Sequence, residues 1–137
     1  MPFEELSHTA DWCIRVWAAD LSQLLAEAAR GMNTLAGIKL AGKPRIQRNL
    51  SLSAADAESL LVSFLSELAF ITEQEALAFD EYELSINLGT DQIMQLSAVL
   101  QGAHILSIDK AIKALTYHNL KILQTRKGLE ARIVLDV

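Results

Sequence analysis

The chain has 137 residues, 51% apolar and 21% charged, the balance of a soluble globular protein long enough to bury a core without disulfide or metal staples. Seventeen Asp and Glu against twelve Lys and Arg leave a net charge of −5, which argues against a general nucleic-acid binder, whose affinity rests on basic contacts to phosphates. A single cysteine, Cys13, excludes an internal disulfide framework and fits a reducing compartment such as the cytoplasm.

The first residues, MPFEELSHTAD, have neither a basic n-region nor an apolar h-region, so no signal peptide is expected. No apolar run approaches the roughly 20 residues needed to cross a bilayer, and no membrane association is expected. From Trp12 to Ala18 the chain alternates, with Trp12, Ile14, Val16 and Ala18 on one face and Cys13, Arg15 and Trp17 on the other: a strand whose second face is mixed. Asp20 caps a helix carrying Leu21, Leu24, Leu25, Ala28, Met32 and Leu35 at helical spacing, and Gly37 stops it. AGKP reads as a turn and Ile46 to Leu52 as a strand. Ser53 with Asp56 resembles a capping box for a second helix, which carries Leu60, Leu61, Phe64, Leu65, Leu68 and Ala69 on one stripe and runs to about Glu73.

FDEYELSINL alternates again, with Tyr82, Leu84, Ile86 and Leu88 expected inward and Glu81, Glu83, Ser85 and Asn87 outward. Beyond Gly89, QIMQLSAVLQG is its expected hairpin partner. AIKALTYHNLKILQ reads as one strand interrupted near His118 or as two short ones. The closing GLEARIVLDV places Leu129, Ala131, Ile133, Leu135 and Val137 on one face. The order β-α-β-α followed by a run of strands predicts an α+β fold: one compact domain over residues 1–137, with two amphipathic helices and a mostly antiparallel or mixed sheet.

Several motifs dissolve on inspection. GIKLAGKP, Gly37 to Pro44, imitates a phosphate-binding loop, but a helix precedes it and Pro44 replaces the hydroxyl residue that the chemistry needs. Cys13 has no partner cysteine and no histidine at ligand spacing, so it reads as a small buried hydrophobe. Ser7 beside His8 makes no triad, because sequence neighbours rarely orient a nucleophile against its base, and no G-x-S-x-G elbow is present.

The carboxylates at the two chain ends are more informative. Asp11 stands one residue before the first strand, in phase with Cys13, Arg15 and Trp17; Asp136 lies in the last strand, in phase with Glu130 and Arg132. If those strands are neighbours, both carboxylates emerge on the less apolar side, close to the terminal carboxylate of Val137. Three clustered negative charges repel unless something positive sits between them. A hard cation such as calcium or magnesium, which takes carboxylate and carbonyl oxygens, meets that need. Pairing with Arg15, Arg132, Lys113 or a nearby histidine also meets it, and on the residues alone is the plainer and favoured reading.

Three segments in order resemble the archease family: LSHTADWCIRVWAADLSQLLAEAARGM, LLVSFLSELAFITE and IKALTYHNLKI…GLEARIVLDV, with HTAD, IKALTYH and ARIVLDV as the most specific pieces. The likeness spans nearly the whole chain. Two departures stand out: Trp12 and Cys13 follow HTAD where small residues are common, and Ala111 replaces an acidic residue before IKA.

The resemblance implies a cytoplasmic accessory protein, not an enzyme. Its partner would be the RNA-splicing (tRNA) ligase, which uses GTP and a divalent metal to load GMP onto its own histidine. The accessory protein assists that guanylylation and sustains turnover, and the RNA is contacted only through the ligase. The family's metal site, usually described as calcium with magnesium or manganese as alternatives, carries over to Asp11, Asp136 and Val137. His8, Lys113 and His118 fall within the matching motifs as partner-surface or supporting residues. Some family members are described as altering the specificity of a tRNA methyltransferase, which gives a second reading. A metal-dependent hydrolase is a third, weakened by the lack of a base or nucleophile at a recognisable spacing.

Overall fold

The computed structural model describes residues 2–6, 12–116 and 120–136. Two strands open the chain, β1 (Phe3–Leu6) and β2 (Trp12–Ala18), and pair antiparallel. β2 also pairs antiparallel with the last strand, β9 (Gly128–Asp136), in an unbroken register from Trp12↔Leu135 to Ala18↔Leu129. Two short strands, β7 (Ala114–Leu115) and β8 (Leu123–Thr125), line the other edge of β9. The second strand and the last strand of the chain, β2 and β9, therefore form the middle of one five-stranded sheet.

A second sheet is built on the long strand β6 (Met94–Ser107), flanked by β4 (Ile46–Ala54) and β5 (Leu77–Leu88), with β3 (Lys39–Leu40) against its end. Every described pairing is antiparallel. The fold is α+β, as the element pattern predicts.

Between the sheets run α1 (Leu21–Ala36) and α2 (Ala57–Glu75), each touching strands of both. α1 begins where the Asp20 carboxylate accepts the Gln23 N–H at 2.9 Å and ends at Gly37, whose φ of 69° suits a residue without a side chain. Leu24, Leu25, Ala28 and Met32 of α1 meet Leu60, Leu61, Phe64 and Leu65 of α2 in one core with Ile14, Ile133 and Leu135 of the first sheet and Leu96 and Leu100 of the second. Each such Leu, Ile or Phe stabilises the fold by about 1.5–3 kcal/mol on burial. The exposed ion pairs Arg45–Asp80 and Arg48–Glu75 are screened by solvent, so packing dominates.

Five expectations need correction. A strand β1 precedes the one expected to be first, and a short β3 precedes β4, because both are too brief to show a periodic pattern. Ser53 is not the cap of α2: β4 continues through it to Ala54, and Asp56 takes that role by accepting the Ser59 N–H at 2.7 Å. The helix then runs to Glu75, two residues beyond the expected end. Leu88 does not face inward but lies 62% exposed at the end of β5, past the reach of the helices.

Tyr82 does turn inward, and its hydroxyl donates to the Phe79 carbonyl at 2.6 Å while accepting from Asn33 Nδ2 at 3.2 Å. Burial pushes its phenol well above the ordinary range. Beside it the β5–β6 register shifts between Phe79 and Glu81, leaving Asp80 as the extra residue of a bulge that Arg45 holds with two hydrogen bonds.

Gly102 sits opposite Phe79 at that bulge, and a Cβ there would come within 2.7 Å of Phe79 Cα and closer still to the Ala78 carbonyl. Gly102→Ala is therefore expected to destabilise the protein by about 3 kcal/mol or more, measured by urea unfolding. A second expectation concerns Asp56, whose carboxyl is held below its ordinary value of 3.8 by the Ser59 N–H. A depressed folded-state value means stability present in full above the unfolded value and lost as pH falls through the folded one. Asp56→Ala should thus lower Tm at pH 7, and the gap to wild type should close as the pH is taken below 3.8.

Candidate functional site

Asp136 is the last residue of β9 and is exposed, on the strand face away from buried Ala131, Ile133 and Leu135. Ala114 lies opposite it in the ladder, and the Asp136 main-chain carbonyl accepts the Lys113 N–H at 2.7 Å. On its other side β9 pairs with β2, as the carboxylate reading requires. The last described pair of that ladder, Trp12↔Leu135, is one residue from Asp11 on one strand and one from Asp136 on the other. Asp11, Val137, His8 and His118 themselves lie outside the described residues. Of the residues singled out in the sequence, the structure brings together Asp136 and Lys113, the latter through its backbone.

The segment before Asp136's partner strand is tied down at several points. The Ala36 carbonyl, at the end of α1, accepts N–H groups from both Asp109 and Lys110, at 2.8 and 3.1 Å. Asp109 packs where a Cβ on Gly37 would lie, so Gly37 is needed for close approach as well as for its positive φ. Lys110 places its ammonium 4.8 Å from the ring centroid of Trp12, a cation–π contact at the entrance of β2. Residues 109–116 thus join the end of α1, the start of β2 and the end of β9. Sequence reading missed this link, because a lone Lys and a Trp far apart along the chain carry no spacing signal.

The alternative of charge pairing can be followed part of the way. Arg15 sits directly across the ladder from Arg132, and this like-charge opposition is relieved by Glu4 at 2.8 Å and Glu130 at 3.8 Å from Arg15. Its guanidinium also lies 5.1 Å from the Trp17 ring, which Lys127 approaches at 4.7 Å. Arg15 is therefore engaged midway along the ladder by Glu4 and Glu130, and no ion pair joins it to Asp136 among the described residues. Among the described residues no three His, Cys, Asp or Glu side chains converge on one point, and Asp136 supplies one hard oxygen donor of the kind that calcium or magnesium takes.

The other sequence features keep their plain readings. Cys13 is 7% exposed, and burial pushes its thiol above the ordinary value against the pull of Arg132, the opposite of an activated nucleophile. Gly37 to Pro44 runs from the end of α1 to the start of β4 with no helix N-terminus to receive a phosphate. No helix among the described residues is long and apolar enough to cross a membrane.

A model of the Archease protein family (MTH1598/TM1083) matches residues 3–137. The protein archease of Methanopyrus kandleri is 30% identical over 143 residues, covering 100% of both chains. That of Methanosarcina barkeri is 30% identical over 141 residues, covering 98% of this chain and 95% of its own. The solution structure of Methanobacterium thermoautotrophicum protein 1598 superposes with a TM-score of 0.79 at 26% identity, over 99% of each chain. The crystal structure of an archease, described as a possible chaperone, from Thermotoga maritima shares the fold with a TM-score of 0.65 at 20% identity, over 98% of this chain and 96% of its own. Matched along almost its whole length in both sequence and fold, the chain belongs to the archease family.

Proposed function

We propose that this protein is a cytoplasmic accessory factor that activates an RNA-splicing ligase by promoting its guanylylation and sustaining multiple turnover, and that it is not itself an enzyme. The observation that carries the reading is the β2–β9 ladder, whose last described pair, Trp12↔Leu135, is one residue along the chain from Asp11 on one strand and from Asp136 on the other. Asp11, Asp136 and the terminal carboxylate of Val137 would hold a divalent cation, with calcium the best match to an all-oxygen donor set. A cation held by few protein groups keeps open positions that a nucleotide phosphate or a partner carboxylate can fill. Family membership and the net charge of −5 support the same division of labour, in which the ligase holds the RNA and this protein holds the ligase.

The second reading, a chaperone-like modulator of a tRNA methyltransferase, draws on the description of the Thermotoga maritima protein as a possible chaperone. It needs a protein-binding surface but no cation, so the carboxylates separate the two.

The test measures guanylylation and multiple-turnover joining by the ligase of the same organism with wild type, Asp11→Ala and Asp136→Ala. Wild type is expected to stimulate both steps, and each substitution to cut the stimulation by about tenfold or more, the scale on which a cation site weakens when a supporting group is lost. Because Asp136 is exposed, its variant should melt with wild type. No stimulation by wild type would refute the assignment, and stimulation undiminished in both variants would remove the carboxylates from it.

A further inference from the structure

Beside the Lys113–Asp136 link an apolar groove of about 470 Å³ opens to the surface. Its walls come from the ends of both helices and of β6, among them Met32, Ala36, Ala69 and Ile112, and two aliphatic side chains on it stand in solvent: Leu106, 73% exposed, and Ile108, 38% exposed. An exposed aliphatic rim on an apolar groove marks a surface that gains by being covered.

The charges around it say what covers it. α1 and α2 both end at this groove, neither has a basic residue in its last turn, and the C-terminal carbonyls of a helix carry partial negative charge. Glu73, exposed on α2, adds a full one, and it makes no ion pair among the described residues. Lys113 is the basic residue lining the groove, and its backbone N–H holds the Asp136 carbonyl. The groove therefore runs from an electronegative side at the helix ends to residues 111–113, whose Lys113 N–H is bonded to the Asp136 carbonyl.

The geometry points to this groove as the docking site for a segment of the ligase that inserts an apolar side chain between Leu106 and Ile108 and sets a lysine or arginine beside Glu73. This rests on the ligase reading and adds to it. The groove supplies affinity, in the manner of an apolar anchor in a pocket, while the chain-end carboxylates act on the ligase once it is held. A basic residue next to the anchor is favoured by Glu73 and by both helix ends, and its contribution falls as salt is added.

The experiment separates binding from stimulation. Dissociation constants for the intact ligase are measured with wild type, Leu106→Glu, Ile108→Ser and Glu73→Lys, each checked by its melting curve. Leu106 is so exposed that its substitution should leave Tm unchanged, and Ile108→Ser serves as the second probe if it does not. Leu106→Glu and Ile108→Ser are expected to weaken binding by about tenfold or more, and Glu73→Lys to weaken it and flatten its salt dependence. At saturating protein, Leu106→Glu should still stimulate the ligase, whereas Asp136→Ala should bind and fail to stimulate. A Leu106→Glu constant within about twofold of wild type, with wild-type stimulation intact, would overturn the docking site and leave the ligase reading standing. Binding without stimulation by wild type would sink the ligase reading while keeping the groove. A wild-type dimer in sedimentation that Leu106→Glu turns to monomer would reassign the groove to a second copy and overturn the inference.

Discussion

The pairing of β2 with β9 is the constraint on which the rest of the molecule depends. It brings residues 12–18 against 129–135 through seven register positions, so strands from opposite ends of the chain become the centre of one sheet. Ile14 and Val16 then share a face with Ala131, Ile133 and Leu135, and the helices pack on that face. A shift of one residue would turn every one of these side chains to solvent, because side chains alternate along a strand. The same alternation that buries Leu135 exposes Asp136. Core packing and the chemistry of the chain ends are thus two faces of one register.

A second layer of constraint converges on the same place. The end of α1 is stitched to residues 109 and 110 through the Ala36 carbonyl, Lys110 covers Trp12, and Lys113 holds Asp136. None of these contacts is strong alone. Together they fix the entrance of β2, the exit of β9 and one wall of the apolar groove relative to each other. Trp12 has a local role here, as the ring on which Lys110 rests. The arrangement suits a protein that acts by presenting a shaped surface to a partner, with the proposed cation site and the proposed docking groove sharing residues 111–116 as a border.

Much of this was legible in the sequence wherever one face of an element is buried and the other wet. The strand at Trp12–Ala18, the caps Asp20 and Gly37, the hairpin of β5 and β6 and the inward set Leu129, Ala131, Ile133 and Leu135 all follow from periodicity and capping chemistry. The misreadings occur where local pattern does not decide. Four residues of β1 and two of β3 are too few for a period, and they are strands because a neighbour offers an edge. Ser53 has the chemistry of a cap, but the β4–β6 ladder outcompetes it and passes the role to Asp56. Leu88 keeps the alternation yet lies beyond the helices that would cover it. Of the chain-end site, phase and neighbourhood were readable for Asp136, whereas the Lys113 and Lys110 links are tertiary and left no trace in spacing.

The central claim is that the β2–β9 register makes the two ends of the chain a single cation site. Amide chemical-shift mapping of the isotopically labelled protein during calcium addition tests it most directly. The account predicts that resonances of residues 10–12, 113–115 and 135–137 move together along one binding isotherm, and that Asp136→Ala abolishes the movement at both ends. Shifts confined to one end, or two independent isotherms, would contradict it.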